Sequence, residues 1–228
     1  MAATVALLLL GACSDDSEPG SGATDDPTTT TALHQPGTTT IPTYRSTVEA
    51  VTADDLPASW REGCPLPVEE LRLLRISHWG YDGQVHDGEL VVAADVAEDV
   101  VAIFGDLYAA RYPIERMERV DVYGGSDEAS TAANNTSAFN CRRATGGTGW
   151  SEHAFGHAID LNPLQNPYVR GDTVLPPQST RYVDRSLTET GMIHADDAAV
   201  TAFAARGWVW GGTWQTLKDY QHFSPSGR

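Results

Sequence analysis

Two histidines and an aspartate fall within eight residues of one another in SEHAFGHAIDLNP, Ser151–Pro163, around a single glycine. Towards the other end of the chain, WGGTWQTLKDYQHFS sets His222 three residues after Asp219. A hydrolytic zinc ion takes three protein donors and leaves a fourth position to water, and neutral imidazole and carboxylate are suitable donors. His153, Asp160 and His222 supply such a set. Gly156 permits a tight turn between the first two, and Ala158, Ile159 and Leu161 would bury a strand that holds Asp160 towards the metal. His153 and His157 also stand at i,i+4, the spacing by which one helix shows two imidazoles to one ion. Residue 154 is Ala where the HExxH pattern needs Glu, however, and Gly156 weakens a helix there. His157 is therefore read as a neighbour of the site and not a ligand.

The elements that must bring these residues together read as a mixture. Pro67–Leu73 reads as a short helix leading into a strand over LLRISHWGY, and turns at Asp82-Gly83 and Asp87-Gly88 frame a hairpin into a strand at Glu89–Val96. Val96, Val100, Ile103, Phe104, Leu107 and Tyr108 describe one face of an amphipathic helix over Val96–Tyr112, which Pro113 ends. RMERVDVYG, Arg116–Gly124, alternates and predicts a strand, followed by a long acidic connection to about Asn135 and a further strand at TSAFNCRR. Asn162–Ser186 reads as a long loop, Asp196–Arg206 as a short helix closed by Gly207, and WVWGG and DYQHFS as the last two strands. No regular βαβ rhythm runs through these elements, so the expected class is α+β: one domain with a mainly antiparallel sheet flanked by helices. Residues 219 and 222 would point to opposite faces of a regular strand, so a bulge or turn at Tyr220-Gln221 is required if both serve one site. Trp208, Trp210 and Trp214 are either core residues or walls of a groove.

SEHAFGHAID fits the Ser-x-His-x-x-Gly-x-Ala-x-Asp signature of the zinc D,D-carboxypeptidase family, the VanY-like and L-alanyl-D-glutamate peptidases that cut peptidoglycan stem peptides. WGGTWQTLKDYQHF resembles that family's C-terminal acid-x-x-His segment, and the stretch from about Val120 to Phe223 is similar as well. The resemblance implies a hedgehog/DD-peptidase-like fold, one Zn²⁺ on His153, Asp160 and His222, and Asp219 as the general base. It implies a substrate or supporting role for Ser151 near the metal, for which a turn-capping hydroxyl is the structural alternative. It also implies an arginine upstream of the first histidine. The familiar Tyr-Arg-Ser pattern is missing, so Arg142 is the candidate, with Arg143 and then Arg116 in reserve. The implied activity is metallopeptidase cleavage of stem peptides, as a D,D-carboxypeptidase or as an L-Ala-D-Glu-type endopeptidase. The reading from another class is a catalytically silent wall-binding or signalling module that keeps its zinc, against which an intact general base argues.

Composition narrows the setting. A net charge of −16 over 228 residues disfavours nucleic acid and direct adhesion to an anionic lipid surface. The apolar run Val5–Leu10 is far shorter than the ~20 residues of a membrane-spanning helix and reads as a signal-peptide core. Leu10-Gly11-Ala12-Cys13 has the form of a bacterial lipobox, which makes residues 1–13 a signal peptide and Cys13 a lipidation site. No Lys or Arg precedes the run, a departure from the usual signal pattern. Residues 14–46, rich in Thr, Pro, Ser and Asp, cannot bury a core and form a tether, leaving 47–228 as the peptidase domain. The expectation is an exported lipoprotein on the outer face of the cytoplasmic membrane, touching the membrane through its anchor alone. With Cys13 so used, Cys64 and Cys141 remain as a disulfide pair or as two buried thiols.

Overall fold

The computed structural model describes residues 42–228; Cys13, its lipobox and the tether as far as residue 41 lie outside them. The described chain is a single α+β unit whose sheets are mostly antiparallel. Strands β1 (Ser46–Ala50), β2 (Leu71–Trp79) and β3 (Val85–Ala93) form an antiparallel sheet in the order β1-β2-β3, with Leu71 opposite Ala93 and Trp79 opposite Val85. LRLLRISHW does not alternate cleanly because both faces of β2 are covered. Leu74 and Ile76 join Leu90 and Val92 of β3 in the main core, while Leu71 and Leu73 turn with Val91 into a second cluster containing Phe139 and Cys141. The Cys64–Cys141 disulfide closes that second cluster. The short helix expected at Pro67–Leu73 is one 3-10 turn, Val68–Glu70, and the strand already starts at Leu71.

Helix α1 (Ala97–Ala109) buries the predicted face, Val100, Ile103, Phe104, Leu107 and Tyr108. It ends earlier than Tyr112 because Arg111 takes a left-handed φ of 53°, which turns the chain ahead of Pro113. The strand expected over Arg116–Gly124 is a correction. Only β4 (Arg116–Met117) is extended, and Val120–Tyr123 is a 3-10 turn. The buried residues Met117 and Val120 lie three apart, and Val122, which an alternating strand would have used, is 62% exposed. The acidic connection after it is helix α2 (Asp127–Ala132), started by Ser126, whose hydroxyl accepts from the Ala129 N–H at 3.1 Å. β5 (Asn135–Thr136) then pairs in parallel with β4, so the strand expected at TSAFNCRR is shorter and begins earlier.

The remaining elements build the site. β6 (Ile159–Asp160), β9 (Val209–Trp210) and β11 (His222–Ser224) form one antiparallel sheet in the order β6-β11-β9. β7 (Tyr168–Arg170), β8 (Thr173–Leu175) and β10 (Lys218–Asp219) form another, ordered β10-β7-β8. The segment expected as a bare loop, Asn162–Ser186, thus contains a hairpin and a 3-10 stretch at Pro177–Val183. Helix α3 (Ala198–Ala204), capped by Asp197, packs Phe203 against Phe223 of β11 with ring centroids 3.9 Å apart.

A histidine pair on the first sheet gives this fold a pH dependence. His78 of β2 faces His86 of β3 with ring centroids 5.8 Å apart; it is buried, and its Nδ1 has no partner among the described residues. Burial first, and the neighbouring His86 second, push its pKa down from 6.5 to about 4. Below pH 6.5 the unfolded chain takes up a proton that the folded chain refuses, so stability present above that pH is lost as pH falls towards 4. Urea titrations are expected to show a loss of roughly 3 kcal/mol from this group as pH falls through that window. His78→Gln should remove that component, and equal pH slopes in the two chains would remove His78 as its source.

Candidate metal centre and active site

His153 is placed by a turn that its own sequence specifies. Ser151 caps the 3-10 turn Glu152–Phe155 through its hydroxyl, which accepts from the His153 N–H at 3.3 Å. Gly156 ends the turn at φ 67°, and a Cβ there would stand 2.5 Å from the backbone nitrogen of Ala93. Ala93 donates its N–H to the Gly156 oxygen at 3.0 Å, so any side chain at 156 would push the turn off the end of β3. Asp160 sits between two partners: Ser137 exchanges both main-chain hydrogen bonds with it, and His222 is its register neighbour across β6–β11. Ile159 and Phe223, alternating with them, point into the main core.

The three side chains converge: donor atoms of His153, Asp160 and His222 all lie within 4.8 Å of one another, and all three residues are buried. His153 Nδ1 lies 2.6 Å from the Ala138 carbonyl, which can only accept, so Nδ1 carries the hydrogen and Nε2 presents a lone pair. That lone pair faces Asp160 Oδ2 at 3.2 Å and has no hydrogen-bond partner among the described residues. His222 is arranged in mirror fashion. Its Nε2 lies 2.9 Å from the Arg228 main-chain oxygen and donates to it, leaving Nδ1 to face Asp160 Oδ1 at 3.2 Å.

Two lone pairs aimed at one carboxylate call for a cation between them. A proton is one answer: burial opposes charge on His222, but Asp160 overcomes it and raises the imidazole pKa. Burial likewise opposes the Asp160 carboxylate, yet the His153 and His222 rings hold its pKa well below the ordinary carboxylate range. A divalent metal is the other answer, and the donor set suits one: bonds of about 2.0–2.1 Å in a tetrahedron put neighbouring ligand atoms about 3.3 Å apart. The cluster is one that could hold a metal ion.

Asp219 is brought alongside by a change of sheet. It ends β10, paired with Tyr168 of β7; Tyr220 and Gln221 then form a turn, and the chain resumes in β11 in the other sheet. That turn meets the geometric requirement set by the 219/222 spacing, because the two residues are not on one strand. The Asp219 Oδ1 is buried without a hydrogen-bond partner among the described residues. Burial first, and the negative charge of Asp160 second, push its pKa up from 3.8 to about 6.

These groups open on a cleft of about 600 Å³ walled by Trp150, Tyr168, Trp214 and Leu217, with Ser151 on its lining. Arg142 also lines it, next to the disulfide-bonded Cys141. Its Nε lies 2.8 Å from Asp127 Oδ1 of α2, an ion pair by distance whose N–H is not aimed at the oxygen and so makes no hydrogen bond. Of the reserves, Arg143 is exposed and stacks its guanidinium 3.9 Å over Trp150, while Arg116 lines a separate cavity with Tyr81 and Gln165. His157 pairs with Asp95 at 2.9 Å, outside the His153–Asp160–His222 cluster. The three tryptophans divide, with Trp208 and Trp210 in the core and Trp214 tilted over His222 at 5.4 Å. Sequence reasoning did not pick out Asp127, Tyr168 or Arg170 as cleft residues. For Asp127 a signal existed in the Ser126-Asp127-Glu128 helix start; for the β7 residues none did.

Comparison with known families meets this site directly. Residues 145–225 match the family model described as D-alanyl-D-alanine carboxypeptidase. The match holds His153, Asp160, Asp219 and His222, and it supports a peptidase acting on cell-wall peptides. No curated protein and no solved structure matches the chain.

Proposed function

We propose that the chain is a zinc metallopeptidase that hydrolyses peptidoglycan stem peptides, carried on the outer face of the cytoplasmic membrane by a lipid on Cys13. The observation that carries the catalytic reading is the buried Asp219 Oδ1, without a hydrogen-bond partner among the described residues, in the cleft that the His153–Asp160–His222 cluster lines. Zinc, when bound by those three side chains, supplies the Lewis acidity that makes a water nucleophilic near neutral pH. Asp219, with a pKa raised towards the working pH, takes the proton of that water and returns it to the leaving amine. Arg142, on the cleft wall, stabilises the oxyanion developing on the scissile carbonyl. Ser151 keeps His153 in place through its cap and lies on the cleft lining, within the space the substrate would fill. The Cys64–Cys141 disulfide suits the oxidising compartment that export implies.

The test is incubation with purified peptidoglycan and with a defined stem pentapeptide, reading new amino groups and product masses. Release that stops with a chelator and returns with added Zn²⁺ is the expected result, and the product mass names the bond. Binding without release would instead favour a silent wall-binding module. Fatty-acid labelling of the full chain, lost in Cys13→Ala, tests the anchor, and labelling that persists in that variant would reject it.

A further inference from the structure

We propose that the turn Ser224–Arg228 is a positioning device for His222, with the Ser224 hydroxyl as its key side chain. The inference rests on the reading of His222 as a metal ligand. SPSGR carries a turn in its sequence: Pro225 fits the second position and Gly227 the fourth. The structure closes that turn, with the Gly227 N–H donating to the Ser224 oxygen at 3.3 Å and Gly227 at φ 72°. The chain is thereby returned beneath β11, and Arg228 comes to rest against the strand it has just left.

Period two on β11 puts the side chains of His222 and Ser224 on the same face. Both therefore reach the same atom. The Arg228 main-chain oxygen accepts from His222 Nε2–H at 2.9 Å and from the Ser224 hydroxyl at 2.8 Å, and the Arg228 N–H donates back to Ser224 Oγ at 3.1 Å. Ser224 is fully buried, so its hydroxyl has no water to fall back on and is committed to this clamp. The Arg228 N–H also reaches Ser226 Oγ at 3.2 Å. The clamped oxygen selects the Nε2–H tautomer of His222, and that tautomer leaves Nδ1 free to face Asp160. What holds the metal-facing nitrogen in place is thus a main-chain oxygen five residues outside the signature segment that contains Asp219, fixed by a serine that touches neither metal nor substrate.

The test is metal affinity, measured by competing Zn²⁺ and Co²⁺ against a chelating indicator, read beside the melting temperature of the metal-free chain. Ser224→Ala removes one bond to the oxygen, and Gly227→Val moves the oxygen by straining the positive φ. Each is expected to weaken Zn²⁺ binding about 10- to 100-fold, the usual effect of losing a partner behind a metal ligand. Neither should change the melting temperature of the metal-free chain by more than a few degrees. Arg228→Ala keeps the main-chain oxygen and is expected to bind Zn²⁺ as the parent does. Equal affinities in parent, Ser224→Ala and Gly227→Val overturn the positioning role while leaving the peptidase reading intact. A parent chain that binds neither Zn²⁺ nor Co²⁺ overturns both.

Discussion

Replacing Asp219 with Asn is expected to lower kcat on a stem peptide by about 10²- to 10⁴-fold, the range a positioned general base contributes, while zinc binding is retained. The separation of the two effects follows from the site. Asp219 stands outside the set of three converging donors, so its removal takes away no ligand. Its Oδ1 is buried with no hydrogen bond among the described residues, so it can accept a proton without first giving up a partner. Asn has the same shape and no basicity, which isolates the proton transfer. The same substitution has a stability consequence of opposite sign. A carboxyl raised from 3.8 to about 6 by burial and by Asp160 disfavours the folded metal-free chain as pH rises through that window. Asp219→Asn removes the charge, so the metal-free variant should melt higher than its parent at pH 7. Parent-like turnover in Asp219→Asn, measured at saturating substrate, would rule out the assigned base.

The second large effect is on stability. Exchanging both Cys64 and Cys141 for Ser opens a loop of 77 residues' separation, for which chain-entropy arguments give a loss of about 4 kcal/mol. In a domain of this size each kcal/mol moves the melting temperature by roughly 2–4 °C, so a fall of about 10 °C is expected. The loss in turnover at 25 °C should be much smaller. Cys141 is also held by its N–H to the Ser59 oxygen at 2.9 Å, and Phe139 by its N–H to Val91 of β3 at 2.9 Å. Those bonds keep the backbone that carries Arg142 in place when the sulfurs part. Calorimetry of the double variant checks this, and a melting temperature within 2 °C of the parent would show that the loop is ordered in the unfolded reference state or that the bridge is dispensable.

How much of this was legible beforehand depended on whether a signal was local. The face of α1 could be read because its apolar residues repeat along one element. The turn around Gly156 could be read because a glycine followed by a buried apolar run is a local pattern. Alternation misled at Arg116–Gly124, where Val122 mimics an inward position that no neighbouring layer covers. The β7–β8 hairpin was hidden because its strands are three residues each, too short to show a periodicity of their own. Arg142, Arg143 and Arg116 are chemically alike in sequence. Their neighbours separate them: a cleft wall, a Trp150 face, and a cavity elsewhere.

The sequence by itself determined the donor types and their order, the glycine that lets His153 turn back towards Asp160, and the α+β class. Residue type and short-range spacing are enough for those, since they depend on one turn or one face at a time. Only the tertiary structure decided that Asp219 and His222 line one cleft. Three residues apart, they would oppose each other on a single strand; they converge because β10 hydrogen-bonds to β7 while β11 pairs with β6. It also decided which nitrogen of each histidine faces Asp160, through the main-chain oxygens of Ala138 and Arg228. Those choices depend on which main-chain oxygen lies behind each ring once distant segments have packed, and no pattern along the chain encodes that.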